Sequence, residues 1–277
     1  MQELKGKTTV ITGAGSGFGR EFALACAAEG MNLVLADLKH EGLEATAALL
    51  DADTPVLLKT CDVAKPEQVE ALATAARERF GNVHLLFNNA GVAVTGPVWT
   101  ATLEEWRWVM DVNLMGVVHG LRSFTQAMID SGEACHIVNT ASAAGHLSVP
   151  GSSIYCVSKH GVVTLSECLH HELGMLKANV GVSVLCPAFV PTGIADSENL
   201  RPQDAPKNPH PMTKSSDAMT KQAVASGRLS AADVARITLD AVKAKRFYVF
   251  PHQKIKASIE GRLQHILDER TPHNSLA

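Results

Sequence analysis

Apolar residues arrive along this chain in short blocks, separated by stretches in which they recur at helical spacing. Residues 8–12 form a β-branched block, and an alanine-rich stretch over 17–29 follows, stopped by Gly30. Further apolar blocks at 32–37, 56–58, 84–88, 136–139, 181–185 and 246–250 read as strands. Helices are expected over 41–50, 66–80, 103–129 and 153–177, with Pro66 in the first turn of its helix, where proline is favoured. The strands are apolar on both faces, as a parallel sheet covered by helices requires. This alternation predicts an α/β fold: one doubly wound, Rossmann-like parallel sheet of about seven strands in a single domain over 1–277. Ligands bind such sheets at the carboxyl ends of the strands.

Residues 188–226 break the rhythm. Pro191, Pro202, Pro206, Pro209 and Pro211 sit there among polar residues, after the sixth strand and beside the expected site. A long structureless stretch reads as a lid over substrate or as a surface excursion. At 254–270, Ile255, Ile259, Leu263, Ile266 and Leu267 make an amphipathic helical segment suited to covering the sheet edge or a neighbour's lid.

Composition narrows the setting. The chain is 46% hydrophobic and 19% charged, with net charge −3, which suits a soluble enzyme-sized domain. No long basic run invites nucleic acid, and no apolar run is long enough to span a membrane. The first strand begins so early that no room is left for a signal peptide, and the six cysteines contain no C-x-x-C pair. Both points favour a reducing cytoplasm. His170-His171-Glu172 lacks metal-ligand spacing and reads as helix surface, so no metal is expected.

Gly13, Gly17 and Gly19 join the first strand to the first helix. Glycines there let backbone N–H groups approach a pyrophosphate at a helix N-terminus. Asp37 ends the second strand, where a carboxylate can accept from both hydroxyls of an adenosine ribose and would repel a 2′-phosphate. Leu38 after it and Ser16 before Gly17 supply no cation; Lys39 is the nearby base. The balance favours NAD over NADP. Asp62-Val63 follows the third strand, either at an adenine edge or with Asp62 as a cap for the next helix. Asn89, Ala90 and Gly91 end the fourth strand with small residues that permit close approach to a ligand.

Tyr155 and Lys159 are one helical turn apart and share a helix face. A neighbouring ammonium stabilises a phenolate and lowers the tyrosine pKa, fitting the pair for proton transfer to an alcohol or carbonyl oxygen.

Taken together, Gly13-x-x-x-Gly17-x-Gly19, Asn88-Asn89-Ala90-Gly91, Asn113, Ser142, Tyr155-x-x-x-Lys159, and Pro187 with Thr192 resemble the classical short-chain dehydrogenase/reductase family in order and separation. The resemblance covers residues 7 to about 192. It implies a catalytic set of Asn113, Ser142, Tyr155 and Lys159: Tyr155 as acid/base, Lys159 tuning it and bonding the nicotinamide ribose, Ser142 donating to the substrate oxygen, and Asn113 holding a water that links Lys159 to solvent. It also implies cofactor contacts from Gly13, Ser16, Gly17, Phe18, Gly19, Asp37, Leu38, Asp62, Val63, Asn89, Ala90, Gly91, Tyr155, Lys159, Pro187, Val190 and Thr192. Ala188 follows Pro187 where the family usually has glycine. Family members pack the helices here expected at 103–129 and 153–177 into dimer and tetramer contacts, although core burial explains the same apolar pattern.

The leading expectation is an NAD-dependent dehydrogenase or ketone reductase; NADPH-dependent carbonyl reduction and a catalytically silent dinucleotide sensor are the alternatives. The expected substrate wall comprises Val92, Val94, Ser142, Ala143, Ala144, Leu147, Tyr155 and Phe189, with no arginine to clamp an anion. That favours a hydrophobic secondary alcohol or ketone. His146 is either a polar contact on this wall or a loop histidine at its rim.

Overall fold

Seven short strands line up in one all-parallel sheet: β1 (Thr8–Thr12), β2 (Asn32–Asp37), β3 (Val56–Thr60), β4 (Leu85–Asn88), β5 (Cys135–Thr140), β6 (Val180–Leu185) and β7 (Tyr248–Val249). Their spatial order is β3-β2-β1-β4-β5-β6-β7. The order reverses between β1 and β4, so a crevice opens at the carboxyl ends of these two strands. The computed structural model describes residues 1–202, 205–272 and 274.

Alternation along each strand divides the core between the two faces. Ile11, Leu33, Leu35 and Phe87 face one side and pack with Phe22 of α1 (Gly17–Ala28) and with Val234 and Leu239 of α8 (Ala231–Lys243). The Phe22 and Phe87 rings stack with centroids 4.4 Å apart. Val10, Val34, Leu86 and Ile137 face the other side, against α3 (Pro66–Phe80), α5 (Gly116–Asp130) and α6 (Ser153–Met175). Burying each such side chain contributes about 1.5–3 kcal/mol.

The stretch expected as one helix at 103–129 is α4 (Leu103–Met110) and α5 joined by a π-helical turn at Asp111–Met115. The turn carries Asn113, which is fully buried. β7 has two residues where five were expected, and α8 has no counterpart in the periodicity reading.

Residues 188–226 are not structureless. They hold a 3₁₀ segment at Gly193–Leu200 and α7 (Pro211–Ala225), with Pro211 at the helix start. Residues 203 and 204 of the expected lid lie outside the described residues. The excursion is anchored to α4 by a buried ion pair: Arg201 donates to Glu105 at 3.0 Å, with side chains only 5% and 2% exposed. Glu105 also accepts from the Asn208 amide and caps its own helix through the Thr102 amide. The two ends of the excursion meet. Gly227 packs so closely on 189–191 that a Cβ there would lie 2.6 Å from the Phe189 carbonyl oxygen.

The C-terminal amphipathic segment forms α9 (Ile255–Leu267) but buries none of its residues, so it does not seal the sheet edge within this chain. α2 (His40–Ala47) completes the set of labelled helices. No described helix is long and apolar enough to cross a membrane.

Candidate active site

A single cavity of about 1080 Å³ runs along the carboxyl ends of β1, β2, β4 and β5 and continues beneath α7. At one end lies the loop between β1 and α1. Gly13 there has φ +67°, and a Cβ on it would stand 2.9 Å from the Ala90 Cα, so only glycine fits both the backbone and the space. Ser16, the N-cap of α1, makes no capping bond with its side chain. The Ala14 and Gly15 amides are taken by the Ala36 carbonyl and the Asp37 carboxylate, which leaves the uncommitted Ser16 hydroxyl and the first-turn amides of α1 as the donors at this helix N-terminus, the local chemistry that receives phosphate.

Asp37 projects from the end of β2 into the same space. One carboxylate oxygen accepts from the Gly15 amide at 2.9 Å and the other from the Lys39 amide at 3.1 Å. Both oxygens keep lone pairs for a further donor. Asp62 lines the cavity and accepts from the Ala64 amide at 3.0 Å, whereas the N-cap of α3 is Lys65; the cap alternative for Asp62 is excluded. Ser16, Gly17, Phe18, Leu38, Val63, Asn89, Ala90, Gly91, Pro187, Val190 and Thr192 also line this cavity. Gly19 does not. It sits under the loop, where a Cβ would collide with the Gly13 carbonyl, so its role is to let α1 close on β1.

Thr12 joins the two loops of the crevice. Its hydroxyl donates to the Phe87 carbonyl and accepts from the amides of Asn89 and Ala90, while the Asn89 side chain donates to the Thr12 carbonyl. β1 is thereby riveted to the end of β4.

Ser142 and Tyr155 stand on the wall near the middle of the cavity, with the Ser142 hydroxyl among the groups that act on the Tyr155 phenol. Ser142 leads from β5 into a one-turn 3₁₀ helix and caps it through the Ala144 amide. Tyr155 and Lys159 project from the first turns of α6. The Lys159 ammonium is buried, donates to the Thr140 carbonyl at 2.9 Å, and lies 5.6 Å from the Tyr155 ring centroid. Asn113 stands behind this group, off the wall. Its side-chain oxygen accepts from the Val92 amide at 2.8 Å, and its two N–H groups donate to the Val92 carbonyl and the Ser158 hydroxyl. Both of its side-chain donors are therefore committed to protein partners.

Burial moves both titrations toward the neutral forms. The Tyr155 phenol is pushed up to about 12 by desolvation, which outweighs the lowering effect of the Ser142 hydroxyl. The expected lowering by Lys159 is not found; desolvation dominates the phenol. Lys159 itself is brought down to about 8 by the same desolvation.

Val92, Val94, Ala143, Ala144, Leu147 and Phe189 line the substrate half as expected. His146 does not reach it. Its Nε2 lies 3.5 Å from the Cys186 sulfur and its ring packs on Tyr248 and Phe250, which turns it behind the wall. Sequence reasoning missed Trp108, Leu200, Met219 and Ile255, which complete the wall. On α7, Ser216, Met219, Thr220 and Ala223 fall at i, i+3, i+4 and i+7, the stripe by which a helix roofs a cavity.

The family model for short chain dehydrogenases matches residues 7–203. The chain belongs to the short-chain dehydrogenase family. It is an oxidoreductase of that family, and its cavity fits a nicotinamide dinucleotide: the glycine loop leaves no room for side chains, and Asp37 stands at the ribose end. Similarity extends beyond the family segment. The chain is 48% identical to a short-chain dehydrogenase/reductase from Burkholderia phymatum solved in complex with NAD, with a TM-score of 0.96 over 99% of this chain and 98% of that one. It is 32% identical to the CLA biosynthesis dehydrogenase/reductase of Lactiplantibacillus plantarum, over 98% of this chain and 97% of the relative. It is 39% identical to the levodione reductase of Leifsonia aquatica, over 73% of this chain and 76% of the relative. Within the family, the departure at Ala188 leaves the following strip in place: Pro187, Ala188, Phe189 and Val190 all line the cavity.

Proposed function

We propose that this chain is an NAD-dependent dehydrogenase that moves a hydride between nicotinamide and a hydrophobic secondary alcohol or ketone, with Tyr155 as acid/base. The observation that carries the reading is that Tyr155, Ser142 and Lys159 share one continuous cavity with the glycine loop and Asp37. NAD, when bound, supplies the hydride acceptor, and NADH the donor.

Asp37 would hold the ribose hydroxyls, the Ser16 hydroxyl and the first-turn amides of α1 the pyrophosphate, and Asp62 and Val63 the adenine edge. Asn89, Ala90, Gly91, Pro187, Val190 and Thr192 would hold the nicotinamide end, with Lys159 bonding its ribose. In reduction, the Tyr155 hydroxyl gives its proton to the carbonyl oxygen while Ser142 donates to the same atom and stabilises the charge growing there. In oxidation the tyrosine receives the alcohol proton. Lys159, fixed by Thr140, keeps positive charge beside the ring. Asn113 holds the π-turn and the Val92 strip in place behind Lys159; a water linking Lys159 to solvent would be held by groups other than its two committed N–H donors.

The substrate half is lined by Val92, Val94, Trp108, Val149, Leu200 and Met219. Asp196 is the acid on that wall, and no arginine lines it. A carboxylate or phosphate substrate would find no counter-ion there beyond Lys159, so the wall suits a neutral apolar molecule. The relatives named as a levodione reductase and a CLA biosynthesis dehydrogenase/reductase support redox chemistry of this kind. Lys39 on the cavity wall beside Leu38 is the feature that favours the competing NADPH reading. A homodimer or homotetramer built on α4–α5 and α6 is supported by exposed Met115 and Val157. A cytoplasmic setting accords with six free cysteines, five of them buried.

Initial rates with a panel of secondary alcohols and ketones, each with NAD(H) and NADP(H), test the reading. Turnover with NAD(H) and apolar substrates supports it. Turnover only with NADPH installs the carbonyl-reductase reading, and none with either cofactor installs the dinucleotide sensor.

A further inference from the structure

The strip from Pro187 to Val190 leaves the end of β6 and passes the cavity. Its first peptide plane is held from two sides. The Pro187 carbonyl accepts from the Ala143 amide at 2.8 Å and from the Ser142 hydroxyl at 3.4 Å. The N–H of the same peptide, on Ala188, donates to His252 Nδ1 at 3.1 Å. A peptide is planar and rigid, so fixing its N–H fixes the direction of its carbonyl.

β7 explains how a residue so distant in sequence comes to stand there. The Cys186 amide donates to the Val249 carbonyl at 2.8 Å, which carries the β6–β7 ladder to its last rung. The chain then turns through buried Pro251, and the next side chain, His252, falls beside position 188. Because Nδ1 accepts, the neutral ring carries its proton on Nε2. That nitrogen is buried and has no partner among the described residues. An unpartnered buried N–H carries a cost. The ring's hydrogen bond is therefore the one to Ala188, and burial, which outweighs the opposing influence of the Phe189 backbone, lowers the His252 pKa toward the neutral accepting form.

We propose that His252 is a positioning residue of the active site: by accepting from the Ala188 amide it locks the Pro187–Ala188 peptide plane, and through it the Ala143 backbone next to Ser142 and the wall of the nicotinamide end. The clamp holds the Ala188 backbone in one orientation. The inference rests on the dehydrogenase reading for its consequence in catalysis, while the clamp itself is a property of the protein alone.

Two isosteric replacements test it. In His252→Asn the side-chain oxygen falls where Nδ1 stands and keeps the acceptor; in His252→Gln the oxygen falls one bond further out and loses it. Amide exchange at Ala188, followed by NMR without any substrate, should be at least tenfold faster in His252→Gln than in the wild type, and near wild type in His252→Asn. With an alcohol that the wild type oxidises, kcat should fall at least tenfold in His252→Gln and be largely restored in His252→Asn. Affinity for ADP-ribose, which lacks the nicotinamide, should be the same in all three and reports that each is folded. Equal exchange in the three proteins overturns the clamp. Faster exchange with undiminished kcat in His252→Gln overturns its catalytic consequence. If the wild type turns over no alcohol, the dehydrogenase reading fails while the exchange measurement still decides the clamp.

Discussion

Lys159 holds its ammonium 5.6 Å from the centroid of the Tyr155 ring while donating at 2.9 Å to the carbonyl of Thr140. The lysine is thus tethered to β5, and its charge is presented to the tyrosine from a fixed point. Under the proposed function, Tyr155→Phe removes the transferable proton and leaves the ring, the tether and the cavity wall. The expected result is a fall in kcat of about 100- to 10,000-fold, the usual contribution of positioned acid–base catalysis, with NADH affinity nearly unchanged. Lys159→Ala should lower both kcat and cofactor affinity. Steady-state kinetics and NADH fluorescence titration distinguish the two patterns.

Burial raises the Tyr155 phenol to about 12 and lowers the Lys159 ammonium to about 8. At neutral pH the tyrosine therefore holds its proton, the form that reduction uses. Ketone reduction should hold steady near neutrality and fall as pH rises through about 8, where Lys159 loses its charge. Alcohol oxidation needs the phenolate and should rise with pH through neutrality into the alkaline range. Profiles of kcat/KM in both directions, taken where a deuterium isotope effect shows hydride transfer to be rate-limiting, check the sign. Flat profiles in both directions would remove Tyr155 from the proton transfer.

Cofactor choice turns on Asp37. NADP would place a phosphate where NAD offers a hydroxyl donor, losing a charge-assisted hydrogen bond and adding like-charge repulsion, on the order of 2–4 kcal/mol together. That corresponds to roughly a 30- to 1,000-fold preference for NAD. Asp37→Ser with Leu38→Arg should narrow or reverse it. Equal or better kcat/KM with NADP in the unmutated protein would overturn the preference.

The Glu105–Arg201 pair is the buried anchor between α4 and the excursion over residues 188–226. Arg201 also lies 5.4 Å over the Trp108 ring, whose residue lines the substrate half of the cavity. Arg201→Met leaves a buried carboxylate short of its partner and should destabilise the protein by about 3–5 kcal/mol in urea denaturation. Adding Glu105→Gln should recover part of that loss. A loss below about 1 kcal/mol for Arg201→Met would show that the pair does not anchor the excursion.

The sheet was legible in the sequence because buried parallel strands are written as apolar blocks, and β1, β2 and α3 match expectation at both ends. α8 left a signal that went unused: Ser230 and Asp233 form a capping box at its start. β7 has two residues, although the Phe247 carbonyl just before it still accepts from the Val184 amide at 2.8 Å. The π-turn at Asn113 is invisible to periodicity, since a single wide turn shifts the helical face without breaking the run of helix formers. Local motifs pointed to Ser142, Tyr155, Lys159 and the glycine loop, but to fewer than half of the residues that line the cavity. His146 was misplaced because three residues of 3₁₀ helix after Ser142 rotate it away from the wall. The roles of Thr12, Glu105 and His252 lay in contacts 77, 96 and 64 residues apart in sequence, which no local pattern records.

The meeting of residues 189–191 with Gly227 bears on how such a chain can change its chemistry. The excursion leaves the sheet and returns to nearly the same point, and none of the seven strands lies within it. Segments whose ends sit side by side can be exchanged without reshaping their host. The roof of the site is thus a replaceable cassette on the sheet. Under the proposed function, a chimera carrying a relative's roof should inherit that relative's choice of alcohol while keeping its own choice of dinucleotide, which Asp37 would set from far away.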